Sequence, residues 1–269
     1  MQMLQPNVSR AALGDAVEAS LVAIQAHYAR VPGGRVIEQP DIPLCLSGLA
    51  WRTLNGAGGA AFTHARAARG VEETAEFFRR AGVPWRWVIG PETRPEQLGQ
   101  LLLEAGLTRA SNHPGMALDL DRVNMEPSGP PGVRIEEVVD ARGFEGFDEV
   151  QRRGMALAEG PARAWKTAHL QLGFGPDLPL RNFVATLHRK PVGAAAVYFD
   201  VGVAGVYNVV VVPEARGQGV GRAVTLAALQ AGRDLGYRVS TLASSDLGLP
   251  VYLRLGYEEV CRIEVYVRE

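Results

Sequence analysis

Residues 209–222 read Val-Val-Val-Val-Pro-Glu-Ala-Arg-Gly-Gln-Gly-Val-Gly-Arg, and the succession of residue types in this stretch decides the reading of the chain. Four consecutive valines end a strand that is apolar on both faces, the mark of a strand buried within a sheet. Pro213 stops it by removing a backbone donor. Gly217, Gly219 and Gly221 follow, and the Ala- and Leu-rich stretch from Gly219 to Leu235 reads as a helix. Strand, glycine-rich turn and helix start in this order suit an anion. The first helical N–H groups have no intrahelical acceptor, the helix dipole is positive there, and missing Cβ atoms let a phosphate approach the backbone. A P-loop needs Gly-Lys-Ser/Thr, whereas Arg222 and Ala223 follow Gly221. A dinucleotide fingerprint starting at Gly217 needs glycine where Arg222 stands. A pyrophosphate is the natural occupant, and the plain alternative is a turn that only joins strand to helix.

Outward from this turn, Val133 to Val138 reads as a strand, Phe144 to Leu157 and Ala162 to Leu172 as helices, and Asn182 to Leu187 with Val192 to Tyr198 as a hairpin closed by His188-Arg-Lys-Pro191. Gly205 to Val212, Val239 to Ala243 and Glu258 to Val267 read as strands, and Leu249 to Leu255 as a short helix. Ser128-Gly-Pro-Pro-Gly132 continues neither helix nor central strand and is read as a linker. The expected domains are 1–128 and 133–269. In the first, helices are expected near Ala11 to Ala29, Val71 to Ala81 and Pro95 to Ala105. Strands are expected at Trp85 to Ile89 and Met116 to Leu120.

With 269 residues the chain has room for two cores. A formal charge of −1, from 28 basic and 29 acidic residues, speaks against nucleic acid as a partner. No run of about 20 apolar residues spans a bilayer, and no secretory signal is visible at Met1-Gln-Met-Leu-Gln-Pro. Two cysteines, Cys45 and Cys261, form no disulfide framework. A cytoplasmic protein is expected, without a metal, because the five histidines have no ligand spacing.

Arg216-Gly-Gln-Gly219-Val-Gly221 resembles the acetyl-CoA motif Arg/Gln-x-x-Gly-x-Gly/Ala of the GNAT acetyltransferase superfamily. Val211-Val-Pro213 precedes it as in that family, and Tyr252-Leu-Arg-Leu-Gly256-Tyr257 resembles the family's second signature at a typical separation. The resemblance covers about Val133 to Glu269. It implies an α/β fold with a mixed sheet and an N-acetyltransferase taking acetyl-CoA as co-substrate. The backbone of Val209, Val210 and Val211 would pair with the pantetheine arm. The N–H groups of Gly217, Gln218, Gly219, Val220, Gly221 and Arg222, beside Arg216, would hold the pyrophosphate. Tyr252 would donate to the departing thiolate, the alternative being an aromatic packed in the core. Ser245 stands where the family often has a cofactor-binding Asn, and a serine there equally caps the following helix. Glu137, Glu159, Asp200 or a water chain are the options for the base. The acceptor would be a small-molecule amine, a peptide N-terminus or a lysine. A non-catalytic acyl-CoA sensor and transfer of another acyl group are the alternatives.

Leu103-Glu-Ala-Gly106-Leu107 matches Leu253-Arg-Leu-Gly256-Tyr257 at an offset of 150 residues, which suggests an internal duplication. At this offset Arg66-Ala-Ala-Arg-Gly-Val71 falls opposite the glycine-rich turn and Leu102 opposite Tyr252. The N-terminal half therefore reads as a degenerate copy of the same fold, without cradle or proton donor, that packs against the active half.

Overall fold

The computed structural model describes residues 2–126 and 129–268, so Ser128 of the expected linker lies outside the described residues. No helix among them is long and apolar enough to cross a membrane. The chain forms two compact units, one of Met1–Val8 and Met116–Glu258, the other of Ser9–Gly115 and Glu259–Glu269. Where the sequence reading cuts once, near 128–133, the units cut the chain in an interleaved way. Residues 116–126 count with the C-terminal unit and residues 259–268 with the N-terminal one.

In the C-terminal unit β6 (Val133–Glu137), β7 (Leu180–Leu187), β8 (Lys190–Asp200) and β9 (Val203–Val211) pair antiparallel in succession, and β9 runs parallel to β10 (Val239–Ala243). The β7–β8 turn holds His188 and Arg189 at φ 50° and 65°, a left-handed pair whose twist suits a two-residue hairpin. Ala194 to Val197 of β8 are fully buried and small enough for helices to approach the sheet closely. These are α4 (Ala141–Gly154), α5 (Glu159–Leu172) and α6 (Val220–Asp234), followed by the short α7 (Leu249–Leu255). At the end of α4, a Cβ on Gly154 would come within 2.1 Å of Val210 Cγ1, so only glycine lets the helix end meet β9.

The N-terminal unit has α1 (Arg10–Tyr28), β1 (Arg35–Ile37), β2 (Leu44–Leu46), β3 (Asn55–Gly58), α2 (His64–Ala81), β4 (Arg86–Ile89), α3 (Leu98–Glu104) and the first part of β5 (Thr108–Asp119). Its sheet runs β1-β2-β3-β4-β11, with β3 parallel to β4 and β11 (Glu258–Val267) antiparallel beside β4. Trp85 and Trp87 lie in its core, where Phe78 stacks on Trp85 with ring centroids 4.6 Å apart.

Both units run strand, helix, parallel strand, short helix, and the ends of α3 and α7 are built alike. Gly106 and Gly256 adopt φ 83° and 98°. The N–H groups of Leu107 and Tyr257 donate to Leu102 O and Tyr252 O, each at 3.0 Å. The offset of 150 residues holds for this cap but not throughout: the left-handed residues ending the long helices, Gly82 and Gly236, are 154 apart. Arg66 to Val71, expected opposite the turn, lie inside α2. By the helix starts, the counterpart of Gly219, which caps α6, is Thr63, which caps α2.

Glu18 in α1 is buried and accepts from Glu92 N–H and Thr93 Oγ1, both at 2.6 Å. Burial, the largest influence, raises its pKa above the ordinary 4.5 despite these bonds. Because the folded chain holds this proton more tightly than the unfolded chain, the stabilisation is fully present below the unfolded pKa and is lost as pH rises through the folded one. Glu18→Gln keeps an acceptor for Glu92 and a donor for Thr93. From about pH 4.5 upward, urea midpoints of the native protein are expected to fall relative to the variant. Parallel pH profiles would refute this account.

Candidate active site

The pairing of β9 with β10 is confined to Ala204 and Gly205, opposite Ser240 and Thr241. Beyond them β9 pairs with β8 alone, as far as Val211. That pairing contains a bulge, since Ala196 faces Tyr207 while Ala194 faces Val210, leaving Asn208 and Val209 opposite Ala195. Asn208 takes φ 54°, a left-handed value that asparagine tolerates better than other side chains. Gln151, fully buried on α4, donates from Nε2 to Asn208 O at 2.7 Å.

Gly217 and Gly219 in the turn after β9 have φ 74° and 84°, values that require glycine for an unstrained chain. Gly219 caps α6, whose first bond runs from Ala223 N–H to Gly219 O at 3.0 Å. The N–H groups of Val220, Gly221 and Arg222 therefore have no acceptor within the helix. The Arg216 side chain ties the turn down, donating to Val211 O at 3.1 Å and Gly154 O at 3.0 Å. Gln218 Nε2 donates to Glu214 O at 2.9 Å.

A cavity of about 510 Å³ opens between these elements and α7. Of the residues expected at the site, Val209, Val210, Val211, Arg216, Gly217, Gly219, Gly221, Arg222, Ser245 and Tyr252 line it. Gln218 and Val220 do not, and the Val220 side chain is buried. Met155, Leu247 and Arg254 also line it and were missed by the sequence reading. The first two are apolar loop residues without a motif, while Arg254 had a signal in its place two residues after Tyr252. The lining carries Arg216, Arg222 and Arg254 and no carboxylate, so its charge favours a polyanion.

Tyr252 is held by α7, where its ring covers Gly248 and meets Tyr257 edge to face with centroids 5.7 Å apart. A Cβ on Gly248 would come within 2.8 Å of that ring. Burial raises the Tyr252 pKa, so the phenol stays protonated at neutral pH. Ser245 Oγ accepts from Gly248 N–H at 3.3 Å, and Ser245 O accepts from Gly248 and Leu249 N–H at 3.0 Å. The serine thus supports the start of α7 as well as lining the cavity.

None of the three carboxylates considered as a base lines the cavity. Glu137 forms a two-pronged ion pair with Arg181. Glu159 is exposed and pairs with Arg163 at 3.2 Å. Asp200, the last residue of β8, accepts from Tyr198 Oη at 3.1 Å and Val201 N–H at 2.7 Å. Asp148, not considered from sequence, is buried on α4 one helical turn before Gln151, and burial outweighs Arg152 and Lys166 to raise its pKa. The two thiols are unsuited to chemistry, burial pushing Cys45 and Cys261 each up to about 12. Among the described residues no group of His, Cys, Asp and Glu is arranged to hold a metal ion.

Residues 180–259 match the family model for the acetyltransferase (GNAT) domain. No curated protein matches the chain. Among solved structures, a GCN5-related N-acetyltransferase from Kribbella flavida is similar at 22% identity and a TM-score of 0.73, over 94% of this chain and 95% of that one. A conserved protein of unknown function from Staphylococcus epidermidis shows 18% identity and a TM-score of 0.65, over 90% of this chain and 95% of its own. A tandem GNAT protein from the clavulanic acid biosynthesis pathway aligns at 18% identity and a TM-score of 0.54, over 85% of this chain and 78% of that one. The matched residues 180–259 contain the glycine-rich turn and Tyr252, and the fold of the GNAT structures is shared along nearly the whole length of the chain.

Proposed function

We propose that the C-terminal unit transfers an acetyl group from acetyl-CoA to a primary amine by direct attack in a ternary complex. Acyl transfer from acyl-CoA to an amine is the chemistry of the superfamily. One observation carries the reading: the side of β9 without a sheet partner, the start of α6 at Gly221 and Arg222, and Tyr252 border one cavity. Backbone groups of Val209 to Val211 would pair with the amide-rich pantetheine arm like an added strand. The pyrophosphate would lie on the N–H groups of Val220, Gly221 and Arg222, with Arg222 and Arg254 adding charge.

The attacking amine must be neutral. Its lone pair forms the new C–N bond at the thioester carbonyl, and the C–S bond breaks as the thiolate leaves. Tyr252, its pKa raised by burial, would stabilise that thiolate by donating a hydrogen bond rather than by surrendering its proton outright. With no carboxylate in the lining, the proton given up by the amine nitrogen as the C–N bond forms would leave through water. That same lack favours a second reading, a sensor that binds acyl-CoA without turnover.

In a thiol-release assay with amino acids, polyamines and aminoglycosides as acceptors, Tyr252→Phe is expected to lower acceptor-dependent release by about 10²-fold with little change in acetyl-CoA affinity. Binding of acetyl-CoA without release on any acceptor would support the sensor instead. Gly219→Ala forces a side chain into φ 84° and is expected to raise the Kd for acetyl-CoA about tenfold, from a strain of roughly 1–2 kcal/mol. An unchanged Kd in isothermal titration would remove the turn from the site.

A further inference from the structure

A fully buried glutamine on a helix facing a sheet calls for an explanation, because a polar side chain gains nothing there unless it is bonded. Gln151 spends its amide on one atom, the carbonyl of Asn208, at 2.7 Å. Asn208 is the left-handed residue of the β9 bulge, and Val209, next in the chain, lines the cavity. Three residues beyond Gln151, Gly154 O holds the Arg216 side chain, which in turn holds Val211 O. The last turn of α4 thus grips the bulged half of β9 just before the three cavity-lining valines and, through Arg216, at the third of them.

From these contacts we infer that Gln151 is a positioning residue that latches the β9 bulge, and so sets the direction in which Val209 to Val211 present their backbone groups to the acyl donor. The inference rests on the proposed acyl-CoA site. Left-handed backbone at a non-glycine residue is strained and persists when its surroundings hold it. The Gln151 bond supplies such a hold at the carbonyl that follows the strained φ. Without it, β9 is free to relax toward regular pairing with β8, and a one-residue change of register would turn each following side chain to the opposite face. The valine backbone would then no longer run along the donor in the same phase.

The test compares the full chain with Gln151→Met, which keeps length and packing but cannot donate, and with Gln151→Met combined with Asn208→Gly, in which glycine adopts φ 54° without strain. Amide hydrogen exchange at residues 208–211 is expected to accelerate at least tenfold in Gln151→Met. The Kd for acetyl-CoA should rise about as much, and both should return most of the way in the double variant. Rescue by a glycine that restores no packing separates a positioning role from a merely structural one. Gln151→Leu, which also lacks the donor, serves if the methionine variant does not fold. Exchange unchanged in the single variant, or no recovery in the double, would overturn the latch. Accelerated exchange at 208–211 in a protein whose parent binds no acetyl-CoA would leave the bulge latched but overturn both its role toward the donor and the proposed function.

Discussion

Past Gly205 a central strand has a neighbour on one side only, and every other property of the site is arranged around the backbone groups this leaves without a sheet partner. Unpaired amides and carbonyls inside a protein are costly unless something bonds them. An amide-rich ligand is a good substitute for the missing strand. Holding such a strand open takes forces from elsewhere: the Gln151 bond at the bulge, the Arg216 side chain at Val211, and a turn whose glycines start a helix directly beside the strand end.

The same constraint separates the two copies of the fold. In the C-terminal unit two left-handed glycines delay the start of α6 until Val220. In the N-terminal unit α2 starts at His64 behind Thr63, with no left-handed glycine directly before it. The α3 and α7 caps remain nearly identical, because they serve packing rather than binding.

Much of this was legible in the sequence where the signal is local. β10, α7 and β11 have the bounds their residue patterns predict, since alternation, apolar runs and a glycine stop mark them independently of context. β1, β2 and β3 were not read: segments of three or four residues such as Leu44-Cys-Leu46 or Asn55-Gly-Ala-Gly58 are too short for any periodicity to emerge. In the site, the glycine turn and Tyr252 carry motifs, whereas Met155 and Leu247 are ordinary apolar residues whose neighbours come from distant parts of the chain. Gln151 was invisible because a glutamine in an amphipathic helix reads as solvent-facing. Only its burial against the bulge reveals that it faces inward.

The interleaved composition of the two units bears on how the chain is made. Residues 259–268, the last described, belong to the N-terminal unit, where β11 lies beside β4. A chain emerging from the ribosome can build α1 to α3 early, but β4 then stays an open sheet edge while more than half of the protein is still being synthesised. Such edges invite wrong pairing. The C-terminal unit lacks nothing by the time Glu258 has emerged, so the half with the candidate cavity can close first although it is translated second.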